Sequence, residues 1–123
     1  MLAVPGAFPS IAPADPGSAV FCGEAFCLIA ARLASSASGV PIKAISSSSS
    51  GPRRVSSARQ IAMYLAHTVG GLPLPRVAEY FGRDRTTAAY ACRLVEDRRD
   101  DREFDAQLGL LEDLMRAIAG VAR

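Results

Sequence analysis

Residues 81–87 read Phe81-Gly82-Arg83-Asp84-Arg85-Thr86-Thr87, and they predict a tight turn followed by the start of a helix. Gly82 lets the backbone turn sharply, and Asp84 is a residue type that caps helices by accepting a hydrogen bond from a free N–H of the first turn. The arginine and the two threonines that follow would occupy that first turn. Guanidinium and hydroxyl groups there suit hydrogen bonding to phosphates and base edges, because helix N-termini attract anions and fit the major groove of DNA.

Apolar residues at helical spacing lie on both sides of this stretch. They predict four helices, which run from Ser56 or Ser57 to about Val69, from Pro75 to Phe81, from the cap Asp84 to about Arg98, and from Asp100 and Asp101 to about Ala119. The apolar stripe of the last one is Phe104, Leu108, Leu111, Met115 and Ile118. No alternating pattern typical of β-strands competes. We therefore predict an all-α fold, a helix-turn-helix bundle of about four helices.

The first part of the chain has a different composition. Residues 1–17 carry four prolines and predict an irregular leader. Ser18 to Ser36 predicts one helix, with Phe21, Ala25, Leu28 and Ile29 on its apolar side. Gly39 to Pro52 contains five consecutive serines and predicts a flexible linker. We expect a domain boundary near residue 52, with a leader, one helix and a linker in 1–52 and the helix-turn-helix domain in 53–123.

Charge is unevenly distributed, although the net charge is only +2. Residues 53–95 hold seven arginines against two acids, a net of +5, whereas residues 96–123 hold five arginines against eight acids, a net of −3. A positive middle segment followed by an acidic tail is typical of a module with one face toward a polyanion. An ordinary solvated surface is the other interpretation.

Several classes of function are not expected. The cysteines, Cys22, Cys27 and Cys92, have no CxxC spacing, so neither a disulfide framework nor a zinc site is predicted, and a reducing cytoplasm fits. No apolar run is long enough for a membrane span. The sequence lacks the GxxxxGK[ST] phosphate loop, so we expect no bound nucleotide. His67 has no acid or cysteine at ligand spacing, and no catalytic residue, metal or cofactor is predicted.

The predicted helix-turn-helix allows a docking prediction. The helix after Asp84 would enter the major groove with its N-terminus first, so that Arg85 meets guanine or a phosphate and the methyl groups of Thr86 and Thr87 meet thymine. Arg83 and Arg76 would then reach phosphates, and further candidate DNA contacts lie on the linker side, namely Arg53, Arg54 and Arg59.

From about Val55 onward the sequence resembles a known family. Segments 57–66, 74–82, 83–87 and 91–93 are similar in order, spacing and residue types to the C-terminal DNA-binding domain of the bacterial replication initiator DnaA. The resemblance implies that Arg85, Thr86 and Thr87 read bases, that Asp84 orders the turn, and that Leu74 and Pro75 start the short helix on the phosphates. The family also has an arginine that enters the minor groove near the position of Ser57; here Arg53 or Arg54 would have to substitute for it, or minor-groove reading is lost. The family usually has histidine where Arg85 stands.

Two functions follow as hypotheses. The first is sequence-specific binding of double-stranded DNA, which would regulate replication initiation or transcription. The second is a protein-interaction adaptor that contacts a replication or regulatory protein without binding DNA, through the helix at 18–36 or through the acidic tail. The basic and polar character of the predicted recognition helix favours the first.

Overall fold

The computed structural model describes residues 23–47 and 52–120, and these form helices without any strand. The helices are α1 (Gly23–Ser38), α2 (Ile42–Ser46), α3 (Arg53–Thr68), α4 (Leu74–Tyr80), α5 (Arg85–Arg98) and α6 (Arg102–Ala119). The predicted all-α fold is confirmed. No helix in the described ranges combines the length and the apolar character needed to cross a bilayer.

The helix at the centre of the bundle is α3, which packs against α1, α2, α4 and α5. Met63 and Leu65 of this helix are fully buried, as are Phe81 after α4 and Val95 of α5. Half of its residues are buried, on more than one side, which is the pattern of a helix enclosed by others rather than of a surface helix. Its N-cap is Pro52, four or five residues before the predicted cap at Ser56 or Ser57.

The structure corrects the prediction for α1. Its buried face consists of Phe26, Cys27 and three alanines, Ala30, Ala31 and Ala34, whereas Leu28 is 40% exposed. Small side chains let the backbones of α1 and α3 approach closely, so the narrow alanine side is covered and the larger leucine points outward. Phe21, which we expected on the apolar side, lies outside the described residues.

The segment after α1 was wrongly predicted as a flexible linker. Gly39 adopts a left-handed conformation (φ 78°) that ends α1, and Val40 and Ile45 on either side of the start of α2 are fully buried. Both belong to the same hydrophobic core as α3 and α5. The expected boundary near residue 52 therefore separates no packed units in the structure, since helices on both sides of it share one core. Residues 48–51 of the serine run lie outside the described residues.

The turn between α4 and α5 follows the prediction. Helix α4 begins at Leu74 with Pro75 in its first turn, where a missing N–H costs no hydrogen bond. Gly82 adopts a left-handed conformation (φ 67°), and the Arg83 N–H donates to the carbonyl of Ala78 at 2.8 Å. These contacts fix the angle between α4 and α5, which is the element pair of a helix-turn-helix.

The last helix, α6, is capped by Asp101, whose carboxylate accepts from the N–H groups of Glu103 and Phe104. Three of its predicted stripe residues, Leu108, Leu111 and Met115, are buried. Ile118 is not; it is 53% exposed and lies on an outward side with Leu110 (60%) and Leu114 (42%). The stripe prediction was therefore wrong for the last turn.

A polar cluster joins α3, α5 and α6. The buried Tyr64 donates its hydroxyl to Glu96 at 2.9 Å, and Arg99 donates to the same hydroxyl at 3.0 Å and to Glu112 at 2.9 Å. Burial raises the pKa of Tyr64, whereas the hydrogen bonds to Glu112 raise the pKa of Arg99. Glu96 and Glu112 thus orient the C-terminal half of α5.

Candidate nucleic-acid interface

The N-terminus of α5 is organised by Asp84. Its carboxylate accepts a hydrogen bond from the backbone N–H of Thr87 at 2.8 Å, and this bond lowers the pKa of Asp84. The side chain that satisfies the helix end is therefore ionised over the neutral range. Asp84 acts as a cap, in agreement with the sequence.

The first turn of α5 presents its side chains to solvent. Arg85, Thr86 and Thr87 are all exposed, and Ala88 behind them is fully buried against the core. Alanine at this buried position lets the helix lie close to α3 and α4. The three predicted reading residues therefore project from a firmly packed support.

Residues of α3 and α5 form an open cleft of about 340 Å³ beside this turn. We call it the α3–α5 cleft; it is lined by Ser56, Arg59, Gln60, Met63, Arg83, Thr87, Tyr90 and Ala91. The structure thus brings Arg83 and Thr87 together with the polar side chains Ser56 and Gln60. Guanidinium, hydroxyl and amide donors around one concave surface can hydrogen-bond an anionic oxygen.

Arg59 does not match its predicted role as a DNA contact. It is only 3% exposed, and its guanidinium donates to the carbonyls of Ile45 and Ala44, each at 2.9 Å. Burial, followed by the positive charge of Arg83, lowers the pKa of Arg59. The structure therefore gives Arg59 a structural role, in which it ties α2 to α3 and adds a second positive charge behind Arg83.

Arg53 and Arg54 are both exposed but lie on different faces of α3. Arg53 precedes Ser56 and Gln60 by three and seven residues, which places it on the face that lines the α3–α5 cleft. Arg54 instead lines a second groove with Arg98 and Phe104, on the side of α6. Only one of the two arginines extends the surface that carries Arg83.

The residues of α4 that we predicted as DNA contacts also differ in their exposure. Leu74 is partly buried against the core, while Pro75 and Arg76 are exposed at the first turn. Arg76 lines a groove between α1 and α4 together with Glu24 and Glu79. It therefore lies in a mixed-charge environment, apart from the α3–α5 cleft.

Sequence reasoning missed three residues of the cleft, Ser56, Gln60 and Tyr90. Ser56 was read only as a helix start, and Gln60 only as part of a matching segment. Tyr90 follows Thr86 by four residues, a spacing that places both on one side of a helix, so a signal was present. What the sequence could not show is that the N-terminal half of α3 packs beside α5.

His67 and Cys92 are each half-buried within the bundle. His67 is half-buried, with Nδ1 2.7 Å from the carbonyl oxygen of Leu72. Burial raises the pKa of the half-buried Cys92 to about 11, which leaves its thiol uncharged. Within 23–47 and 52–120, no three metal-ligating side chains come together.

Comparisons with known proteins point to one family. The sequence model described as the bacterial dnaA protein helix-turn-helix matches residues 31–95, a range that crosses residue 52 and includes the second half of α1. The chain is 41% identical over 73 residues to the chromosomal replication initiator protein DnaA of Synechococcus sp. (strain JA-2-3B'a(2-13)), covering 58% of this chain and 16% of that protein.

Two further relatives carry the same name. Identity is 45% over 62 residues for the protein of Picosynechococcus sp. (50% of this chain, 14% of the relative) and 39% over 67 residues for that of Ralstonia nicotianae (53% and 13%). The chain thus spans between 13 and 16% of the length of these curated relatives.

Proposed function

Because the chain belongs to the bacterial dnaA helix-turn-helix family, whose domain is a non-catalytic DNA-binding unit, we propose that it binds double-stranded DNA sequence-specifically and reads a site like the binding box of the initiator. The observation that carries the proposal is the arrangement around α5. Arg85 and Thr86 project from its exposed first turn, and Arg83 and Thr87 meet Ser56 and Gln60 in the adjacent α3–α5 cleft.

In the proposed complex, α5 enters the major groove with its N-terminus first. Arg85 can donate two hydrogen bonds to the N7 and O6 of guanine, and the methyl group of Thr86 can pack against that of thymine. The α3 side of the cleft, with Ser56 and Gln60, then faces the sugar-phosphate backbone together with Arg83. A phosphate there would relieve the repulsion between Arg83 and Arg59, which adds to the effect of burial in lowering the pKa of Arg59.

The α3 face that carries Arg53 extends this contact toward the start of the helix. We propose Arg53, rather than Arg54, as the residue that reaches the adjacent minor groove. Binding at initiator boxes on the chromosome, in the cytoplasm, would let the protein influence replication initiation or the transcription of nearby genes.

Competition between two duplexes tests the proposal. Titration of the chain with a box duplex and with a scrambled duplex of equal composition, at about 0.15 M salt, should give at least a tenfold preference for the box. Equal affinity for both duplexes would contradict base reading.

Two variants distinguish contacts to bases from contacts to phosphates. Thr86→Ala should weaken binding to the box by roughly 1–3 kcal/mol and reduce the preference, whereas Arg83→Ala should weaken both duplexes alike and lower the salt dependence. The reverse pattern would mean that α5 docks differently.

The adaptor alternative retains one surface in the structure. In the described residues 23–38, the side of α1 that carries Phe26, Ala30 and Ala34 is buried in the core, so it is not free to bind a partner. The outward side of α6, with Leu110, Leu114 and Ile118, is exposed. The adaptor function would be favoured if neither duplex bound at micromolar protein concentration.

A further inference from the structure

Exposed side chains continue along one side of α5 beyond its first turn. Thr86, Tyr90 and Arg93 follow one another at spacings of four and three residues, and all three are exposed. Tyr90 is 57% exposed, and it is the one exposed large apolar side chain of α5, all fourteen residues of which are described. Tyr90 also borders the α3–α5 cleft, on its α5 side.

We propose that Tyr90 is a specificity-determining residue, which reads the methyl group of a thymine in the major groove beyond the bases contacted by the first turn. The proposal rests on the proposed function, since it requires α5 to lie in the groove. It adds a base contact that none of the residues predicted from the sequence provides.

The position of Tyr90 fits such a contact. Four residues advance an α-helix by about 6 Å, which is close to the separation of two base-pair steps along one strand, about 6.8 Å. Tyr90 therefore lies about two base pairs beyond Thr86 if α5 follows the groove. The groove is about 12 Å wide, so it can hold both turns of the helix.

The side chains near Tyr90 on α5 favour a methyl group over a phosphate as its partner. Arg93, one turn farther on, supplies a cation at the point where the helix leaves the bases for the backbone. The neighbours of Tyr90 along the chain are Ala89 and Ala91, which are too short to shield its ring. A flat apolar ring gains by covering apolar surface, and the thymine methyl is the apolar feature of the major groove.

Replacing single thymines by uracil tests the proposal, because it removes only the methyl group. With the wild-type chain, uracil at one position about two base pairs from the Thr86 contact should weaken binding about threefold to tenfold. Tyr90→Ala should bind the thymine duplex weaker by about the same factor and should no longer distinguish thymine from uracil there. Tyr90→Phe keeps the ring and should retain the discrimination.

Leu110→Ala is the matched control, since Leu110 is 60% exposed on α6, a different helix. It should leave affinity and uracil sensitivity unchanged.

An equal loss on all duplexes for Tyr90→Phe and Tyr90→Ala would overturn the proposal and assign the hydroxyl to a phosphate. Unchanged uracil sensitivity in Tyr90→Ala would overturn it too, while box preference in the same titrations would leave the proposed function standing. Loss of box preference in the wild type would overturn both.

Discussion

At the scale of single residues, two neighbouring arginines have different surroundings. Arg59 has its guanidinium on the carbonyls of Ile45 and Ala44, whereas Arg83 is half-buried at the rim of the α3–α5 cleft. Both contribute positive charge to the same region, but of the two only Arg83 is accessible enough for the phosphate contact that we propose. Their substitutions should therefore affect different properties of the protein.

We predict that Arg59→Met destabilises the fold by roughly 1–3 kcal/mol, because two carbonyls near the core lose their donor. Arg83→Ala should change stability much less and should weaken DNA binding. Urea unfolding and duplex titration of both variants measure the two effects. A stable Arg59→Met chain with impaired DNA binding would instead support a direct contact by Arg59.

Arg53 and Arg54 lie on different faces of α3, so their substitutions should differ in effect on DNA binding. Arg53 lies on the face of Ser56 and Gln60, and Arg54 lines the groove with Arg98 and Phe104. Arg53→Ala should therefore reduce DNA affinity by about tenfold, because the proposed minor-groove contact is lost, while Arg54→Ala serves as the control. A larger loss for Arg54→Ala would reverse the assignment.

At the scale of elements, the start of α5 depends on an ionised carboxylate. Asp84 accepts from the Thr87 N–H, and its pKa is lowered from the usual value of 3.8. A carboxylate whose pKa is depressed in the folded state stabilises that state above its unfolded pKa. The contribution is lost as pH falls through the folded pKa.

Asp84→Ala should therefore be less stable than the wild type at neutral pH, and the difference should shrink as pH falls below about 4. Thermal unfolding of both proteins between about pH 2 and pH 7 measures this difference. Asp97→Asn, an exposed acid within the same helix that caps nothing, is the control. A difference that stayed constant down to pH 2 would show that the charge of Asp84 is not what stabilises the helix.

The same elements show what could be predicted from the sequence. Pro75, Gly82 and Asp84 act through their own backbone geometry or through a partner three residues away, so their local pattern predicted α4 and α5 well. The burial of Ala30 and Ala31 and the exposure of Leu28 depend on which neighbour α1 meets, and helical spacing alone does not contain that information. The burial of Arg59 could not be predicted for the same reason, since its carbonyl partners lie 14 and 15 residues away.

At the scale of the whole molecule, the core makes the helices interdependent. Phe26, Ala30 and Ile45 belong to the same buried cluster as Leu65 and Phe81, although a serine run separates them in sequence. The support for the recognition helix therefore extends back through α3 to α1 and α2. The family match beginning at residue 31 agrees with this extent.

The final prediction concerns a fragment cut at the expected boundary. Residues 53–123 retain the helix-turn-helix but lose α1 and α2, which pack against α3 and contribute Ala30 and Ile45 to the shared core. Arg59 also loses both carbonyl acceptors, so its guanidinium is left without the partners that make its burial tolerable. We expect this fragment to unfold at a temperature roughly 10 °C or more below that of a fragment spanning 23–123, or to lack a cooperative transition, since about 1 kcal/mol shifts the Tm of such a small domain by about 4–8 °C. Calorimetry of the two fragments decides this, and equal Tm values would mean that α1 and α2 pack against a helix-turn-helix that is already stable.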